Sequence, residues 1–229
     1  MAVSIDTVYQ KVLAIANKEQ RGMITPQEFN LFADQAQMAI FEQYFYDINQ
    51  FNRVPGNDTS YSDMIDILEE KISLFEKTNQ VVTNGVQLPT PSHHKLYKLQ
   101  LVKYGDTIAE YISQKDYYQL KDTLLCKPTD KNPIYVKNDT GIAVFGDEQL
   151  RDNITCNYIR TPFTPNWAYV IVSDQALYNV SNSTDFDLHP SEENNLIFKI
   201  LELAGISMGS DLYQIATQEE IKEIQQQKQ

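Results

Sequence analysis

Residues 25–52 read TPQEFNLFADQAQMAIFEQYFYDINQFN, and this stretch decides the fold class. Thr25 stands at a helix cap, Pro26 in the first turn and Glu28 three residues after the cap. The threonine oxygen can take the Glu28 amide, and the glutamate can reach back to the Thr25 amide. A helix therefore starts here and runs to about Asn52. Its apolar residues form two rows: Phe29, Phe32, Ala36 and Ile40 in one, Met38, Phe41, Phe45 and Ile48 in the other. Tyr44, Tyr46 and Phe51 add aromatic surface. A helix apolar on two faces needs two covers. The rest of the fold supplies one. The second is either more of the same chain, as in a single-chain bundle, or a neighbouring copy.

On the N-terminal side, Ile5, Val8, Val12 and Ile15 recur at helical spacing, and Arg21-Gly22 ends that helix. On the C-terminal side, Pro55-Gly56 turns the chain. A third helix follows, with Ile65, Leu68, Ile72 and Phe75 on its buried side. Residues 78–186 then change character. Residues 80–88 read as a hairpin around Asn84-Gly85, and Tyr97 to Leu101 as a half-buried strand. A short helix is expected over 114–125. Strands are expected at 133–136, 142–145, 154–159, 167–172 and 176–180. Helix returns at Pro190, with Leu196, Ile197, Ile200, Leu201 and Ala204 on one stripe closed by Gly205, and His189 marking its start. A last helix is expected from Ser210-Asp211 to about Lys228. The order predicts an α+β fold. Residues 1–77 and 187–229 form a helical body, and 78–186 form an inserted or appended β-rich, sandwich-like domain.

The 229 residues suffice for one large domain or two small ones and for a core that needs no metal or disulfide. Acidic residues number 31 and basic residues 19, a net charge of −12. That charge argues against a surface built to grip a phosphate backbone, which runs on lysine and arginine. Cys126 and Cys156 are too few for a disulfide framework and read as reduced thiols. No stretch approaches a membrane span, and the opening residues lack the marks of a signal peptide. A soluble, unexported protein is expected.

Searching for chemistry returns little. No phosphate-cradling loop, nucleophile elbow, zinc-binding histidine pair or dinucleotide fingerprint is present in the sequence. His93 and His94 are adjacent and would diverge in a strand, so no metal site is expected. Asp58, Ser60, Ser62 and Glu69 match four calcium-loop positions, but Asp63 stands where the sharp turn needs glycine. Glu69-Glu70, Glu192-Glu193 and Glu219-Glu220 read as solvated helix faces. Neither a cofactor nor an enzymatic activity is expected.

What remains is surface that wants a partner. Leu212, Ile215, Ile221 and Ile224 lie on a narrow line interrupted by Glu219-Glu220, so the last helix either frays or lies along another subunit.

The block KVLAIANKEQRGMITPQEFNLFADQAQMAIFEQYFYDINQF, residues 11–51, resembles the start of virion structural proteins of short-tailed bacteriophages. It is most similar to the ring-forming connector proteins of crAss-like phages. The closing block FDLHPSEENNLIFKILELAGISMGSDLYQIATQEEIKEIQQQKQ, residues 186–229, resembles the end of head–tail connector proteins through Ile200-Leu201-Glu202-Leu203-Ala204-Gly205-Ile206 and Ala216 to Glu220. The likeness covers both helical ends and is weak in the β block. It implies a homo-oligomeric ring, often of twelve copies, stacked below the portal protein at the portal vertex of the virion and made in the bacterial host cytoplasm. Such a ring extends the channel for genomic DNA, without sequence-specific contacts, and docks other tail and ring proteins. No reaction and no membrane are implied.

The residues expected at the interfaces are Phe41, Tyr44 and Phe45 on the long helix, Arg21 and Arg53 at its flanks, and Leu212, Ile215, Ile221 and Ile224 in the tail. Copies at −12 each repel, so the lateral contact must be apolar or hold the positive groups, with Lys11 and Lys18 as further candidates. The alternative is a receptor- or carbohydrate-binding virion module, in which exposed Trp167, Tyr158 and Tyr169 stack on sugars, although strand alternation favours Trp167 and Tyr169 on one core-facing side. An enzyme without a sequence signature is the third reading.

Overall fold

A computed structural model describes residues 3–18, 24–51, 59–84, 87–89, 95–123, 125–139, 141–173 and 175–205. The elements are α1 (Ile5–Lys18), α2 (Pro26–Phe51), α3 (Thr59–Ser73), β1 (Glu76–Val81), β2 (Leu96–Tyr104), β3 (Thr107–Tyr111), α4 (Gln114–Leu120), β4 (Ile134–Asn138), β5 (Gly141–Phe145), β6 (Gln149–Leu150), β7 (Ile154–Arg160), β8 (Tyr169–Val172), β9 (Gln175–Tyr178) and α5 (Glu193–Leu203). The fold is mixed α+β. Two compact units divide it, one of residues 1–71 with 162–229 and one of residues 72–161.

The first unit is built on α2. The expected cap is present: Thr25 N–H donates to Glu28 Oε2 at 3.0 Å, and Glu28 N–H donates to Thr25 Oγ1 at 3.3 Å. These bonds hold the Glu28 carboxyl below its ordinary range, the Thr25 backbone amide contributing most. Along the helix Phe29, Ala33, Ala36, Gln37, Ile40, Phe41 and Tyr44 are buried. These positions make a single stripe at helical spacing. Phe32, Met38, Phe45 and Ile48 are half-buried beside it. Two apolar faces are therefore not what α2 presents, because the two rows merge at Ile40 and Phe41.

Helix α5 packs against both α1 and α2. It buries Leu196, Ile197, Ile200 and Leu201, the stripe expected from sequence. Gly205 closes it at φ +71°, the left-handed conformation in which glycine carries no steric penalty. His189 caps the short 3₁₀ turn Pro190–Glu192, its Nδ1 accepting from Ser191 N–H at 3.3 Å. Residues from both sides of the second unit's sequence interlock here. Val3 bridges Phe186, Ile5 N–H donates to Asp185 at 2.9 Å, and Lys11 pairs with Glu193.

In the second unit seven strands form one curled sheet in the order β1-β7-β2-β3-β4-β5-β6, where the sequence reading expected a sandwich. All neighbours are antiparallel except β3 and β4. Val102, Ile142, Val144, Ile154, Cys156 and Tyr158 lie in its core, each large side chain contributing on the order of 1.5–3 kcal/mol by leaving water.

The expected hairpin over 80–88 is mostly replaced. Strand β1 pairs with β7, and Val82 N–H donates to Ile154 O at 3.0 Å. Among the described residues of this stretch, Thr83 and Gln87 exchange backbone bonds, with three residues between them and not the two of the expected turn. The long-range ladder to β7 takes the amides a local hairpin would have used.

Candidate interaction surfaces

Strands β8 and β9 belong to the first unit and form a separate two-stranded ribbon. Tyr169 pairs with Tyr178, Val170 with Leu177, Ile171 with Ala176 and Val172 with Gln175. Partners across an antiparallel pair share a face. One face therefore carries Tyr169, Tyr178, Ile171 and Ala176, and the other Val170, Leu177, Val172 and Gln175.

The base of the ribbon is anchored through Trp167, which is 2% exposed. Its indole N–H donates to Asp6 Oδ1 at 3.0 Å, and its ring lies 4.2 Å from Tyr9. Tyr169 and Tyr178 stack on the indole at 5.9 and 5.6 Å. Asn30 on α2 locks the backbone, its Oδ1 accepting from Trp167 N–H at 2.8 Å and its Nδ2 donating to Trp167 O at 3.3 Å. Beyond the tyrosines the cover stops. Ile171 is 68% exposed, and Val170, Val172 and Leu177 are each about half exposed.

A two-stranded ribbon is marginal in water, and among the described residues neither outer edge pairs with another strand. Sheets usually blunt such edges with charge or a bulge. The edge strand β1 does so, with Glu76, Lys77 and a register shift at Asn79, whose φ is +53°. The sequences of β8 and β9, YVIV and QALY, contain no charged residue.

A second cluster is polar. Glu192, 7% exposed, is not on a solvated helix face as its sequence context suggested. Lys71 from α3 pairs with its Oε1 at 2.6 Å, and Asn195 from α5 donates to its Oε2 at 3.2 Å. The Lys71 ammonium also lies 5.6 Å from the Tyr44 ring centre. Burial first, then the Glu192 charge, push the Tyr44 phenol well above its ordinary value. Burial also raises Asp47, whose carboxylate accepts from Gln43 at 2.6 Å. Both Glu192 oxygens are engaged, so this cluster is a brace between helices.

The residues expected at interfaces fall in three groups. Phe41 and Tyr44 are buried within their own unit, so one chain accounts for their cover. Phe45 is half-buried, edge-on to Phe41 at 5.1 Å. Arg21, Arg53, Leu212, Ile215, Ile221 and Ile224 lie outside the described residues, as do His93 and His94. Lys11 is committed to Glu193 of its own chain. Trp167 and Tyr158 are buried and not available to stack on a sugar, which corrects the aromatic platform expected from sequence. Tyr169 does share the indole's side, as the strand alternation implied.

Sequence reading located both ribbon strands but missed their exposure. An unbroken Tyr-Val-Ile-Val run looks like a strand buried on both faces. Among the described residues there is no cluster of metal-ligating side chains, and no helix is long and apolar enough to cross a membrane. No protein-family model matches the chain, and no curated protein matches it.

Proposed function

We propose that this chain is a virion structural subunit. In this reading it assembles, in twelve copies, into a ring of the head–tail connector below the portal of a short-tailed, crAss-like bacteriophage. It extends the DNA channel and docks tail components. The observation that supports the reading is the β8–β9 ribbon, a blade anchored through Trp167 whose two strands hold exposed apolar side chains and no charge, and whose outer edges pair with no other strand among the described residues. Contiguous apolar surface of that kind marks a protein contact. It is also the kind of contact that copies carrying −12 each require, since like charges repel except where the interface is apolar.

A heterologous contact repeated about a closed axis gives a ring. The helical unit is then the body that packs side by side, and the β-rich unit is an insertion facing outward or toward the next ring. An acidic channel wall lets DNA slide without reading its bases. The partners are other copies, the portal protein and neighbouring tail and ring proteins, with no membrane, cofactor or reaction involved. The place is the virion's portal vertex, after synthesis in the bacterial cytoplasm.

Native mass spectrometry of the full chain, alone and with the portal protein, tests the reading. Ring-sized masses are expected for the wild type. Val170→Lys with Ile171→Lys should yield monomers whose Trp167 emission is unchanged. A wild-type chain that stays monomeric beside its portal overturns the proposal.

A further inference from the structure

We propose that the second unit carries a small binding cleft for a neutral sugar ring. The cleft has a volume of about 190 Å³ and lies between α4, the 127–128 segment and the β5–β6 turn. Tyr117 and Phe145 form its apolar wall, stacked at 4.2 Å with their planes 20° apart. Lys121, Lys127, Asp147 and Glu148 line the rest.

Three observations choose the ligand class. Size comes first: drug-sized ligands occupy roughly 300–1,000 Å³, so this smaller, open cleft seats about one ring. Charge comes second. The lining holds two lysines and two carboxylates, and Lys121 is also drawn to Asp122 at 4.0 Å and to the Tyr118 ring at 5.2 Å, so the cleft carries no excess of positive charge. A phosphate or nucleotide would gain from the lysines and lose to Asp147 and Glu148. A neutral polyol gains from both, because each hydroxyl donates to a carboxylate and accepts from an ammonium. The aromatic wall comes third, since the C–H face of a sugar is the apolar surface such a wall can cover.

The rim is also built rather than incidental. Gly146 is buried, and a Cβ there would lie 2.2 Å from Asp130 Oδ1. That close approach lets Asp130 Oδ1 accept from Asp147 N–H at 3.1 Å, while Gly146 N–H donates to Glu148 O at 2.8 Å. The turn that presents both carboxylates is therefore fixed from below. The proposal is independent of the ring reading, since a monomer has the same cleft.

Saturation-transfer NMR on the full chain tests it. The probes are the methyl glycosides of glucose, galactose and mannose, with uridine monophosphate as the anionic comparison. Transfer to the ring C–H protons of at least one glycoside is expected, with little to the nucleotide. Tyr117→Ala should reduce that signal at least about fivefold. Because Tyr117 also packs on Phe145, Lys127→Met and Glu148→Gln, both at exposed positions, provide the same readout without touching the stack. Silence from all three glycosides overturns the proposal. So does a signal that survives Lys127→Met and Glu148→Gln, or preferential transfer to the nucleotide.

Discussion

Replacing Lys71 by Met isolates the energetics of the buried brace. Lys71 Nζ is 2.6 Å from Glu192 Oε1, with the two side chains 20% and 9% exposed. Removing one partner of a buried pair costs about 3–5 kcal/mol, because the other charge stays buried without compensation. A fifth of the lysine is in water, so the low end applies, about 3 kcal/mol. Asn195 still donates to the stranded carboxylate, but a neutral amide cannot replace the ammonium. At a urea slope of about 2 kcal/mol per molar, the midpoint falls by about 1.5 M. Glu192→Gln alone costs less, about 1–2 kcal/mol, since the lysine can turn its ammonium toward solvent. The double variant should recover about half of the Lys71→Met loss, a coupling of about 3 kcal/mol. Trp167 is the chain's one tryptophan and lies buried in the same unit, so its emission reports that unit's unfolding. If Lys71→Met moves the midpoint by less than about 0.25 M, or the double variant is no more stable than Lys71→Met, the brace contributes no such coupling and the reasoning fails.

Three further outcomes are expected. Thr25→Ala should cost about 1 kcal/mol by thermal melting through loss of the cap. Because the Glu28 carboxyl is held low in the fold, its contribution is present above its ordinary pKa and fades as the pH falls through the lowered folded value. The gap between wild type and Thr25→Ala should therefore narrow in acid. Cys156 is buried with its thiol pushed up to about 11, while Cys126 is exposed. Iodoacetamide at pH 8 should add one group to the native protein and two in urea, as read by mass spectrometry. Gly146→Ala should lower the melting temperature more than an alanine at exposed Gln149, because the new methyl must displace Asp130.

Much of this architecture could be read from local sequence, wherever neighbours in the chain were also neighbours in space. The Thr25–Glu28 box, the Leu196–Leu201 stripe with its Gly205 stop, and the paired strands β4 and β5 are all of this kind. The failures have a common cause in long-range partners. Strand β1, EKTNQV, has no apolar pattern and exists through backbone pairing with β7, about 80 residues away. Strand β3 was missed although Gly105-Asp106 between Tyr104 and Thr107 is a recognisable two-residue turn. Glu192 looked solvated because its cover, Lys71, lies 121 residues upstream. For the interfaces, Phe41 and Tyr44 of α2 were expected at a contact with another copy and are buried within their own unit, while Tyr46 is exposed. The exposed ribbon escaped notice because exposure depends on what fails to arrive, which no local pattern encodes.

The first unit draws on segments that the ribosome makes far apart in time. Phe41 on α2 leaves the exit tunnel long before Leu196 on α5 exists, and the whole of 72–161 is made in between. At roughly 5–20 residues per second, that interval is on the order of ten seconds or more. During it the nascent α1 and α2 must keep Phe29, Phe41 and Tyr9 from the wrong company, whereas the intervening sheet already has every strand it needs. Chaperone dependence should therefore fall on the helices, whose partner α5 is made last.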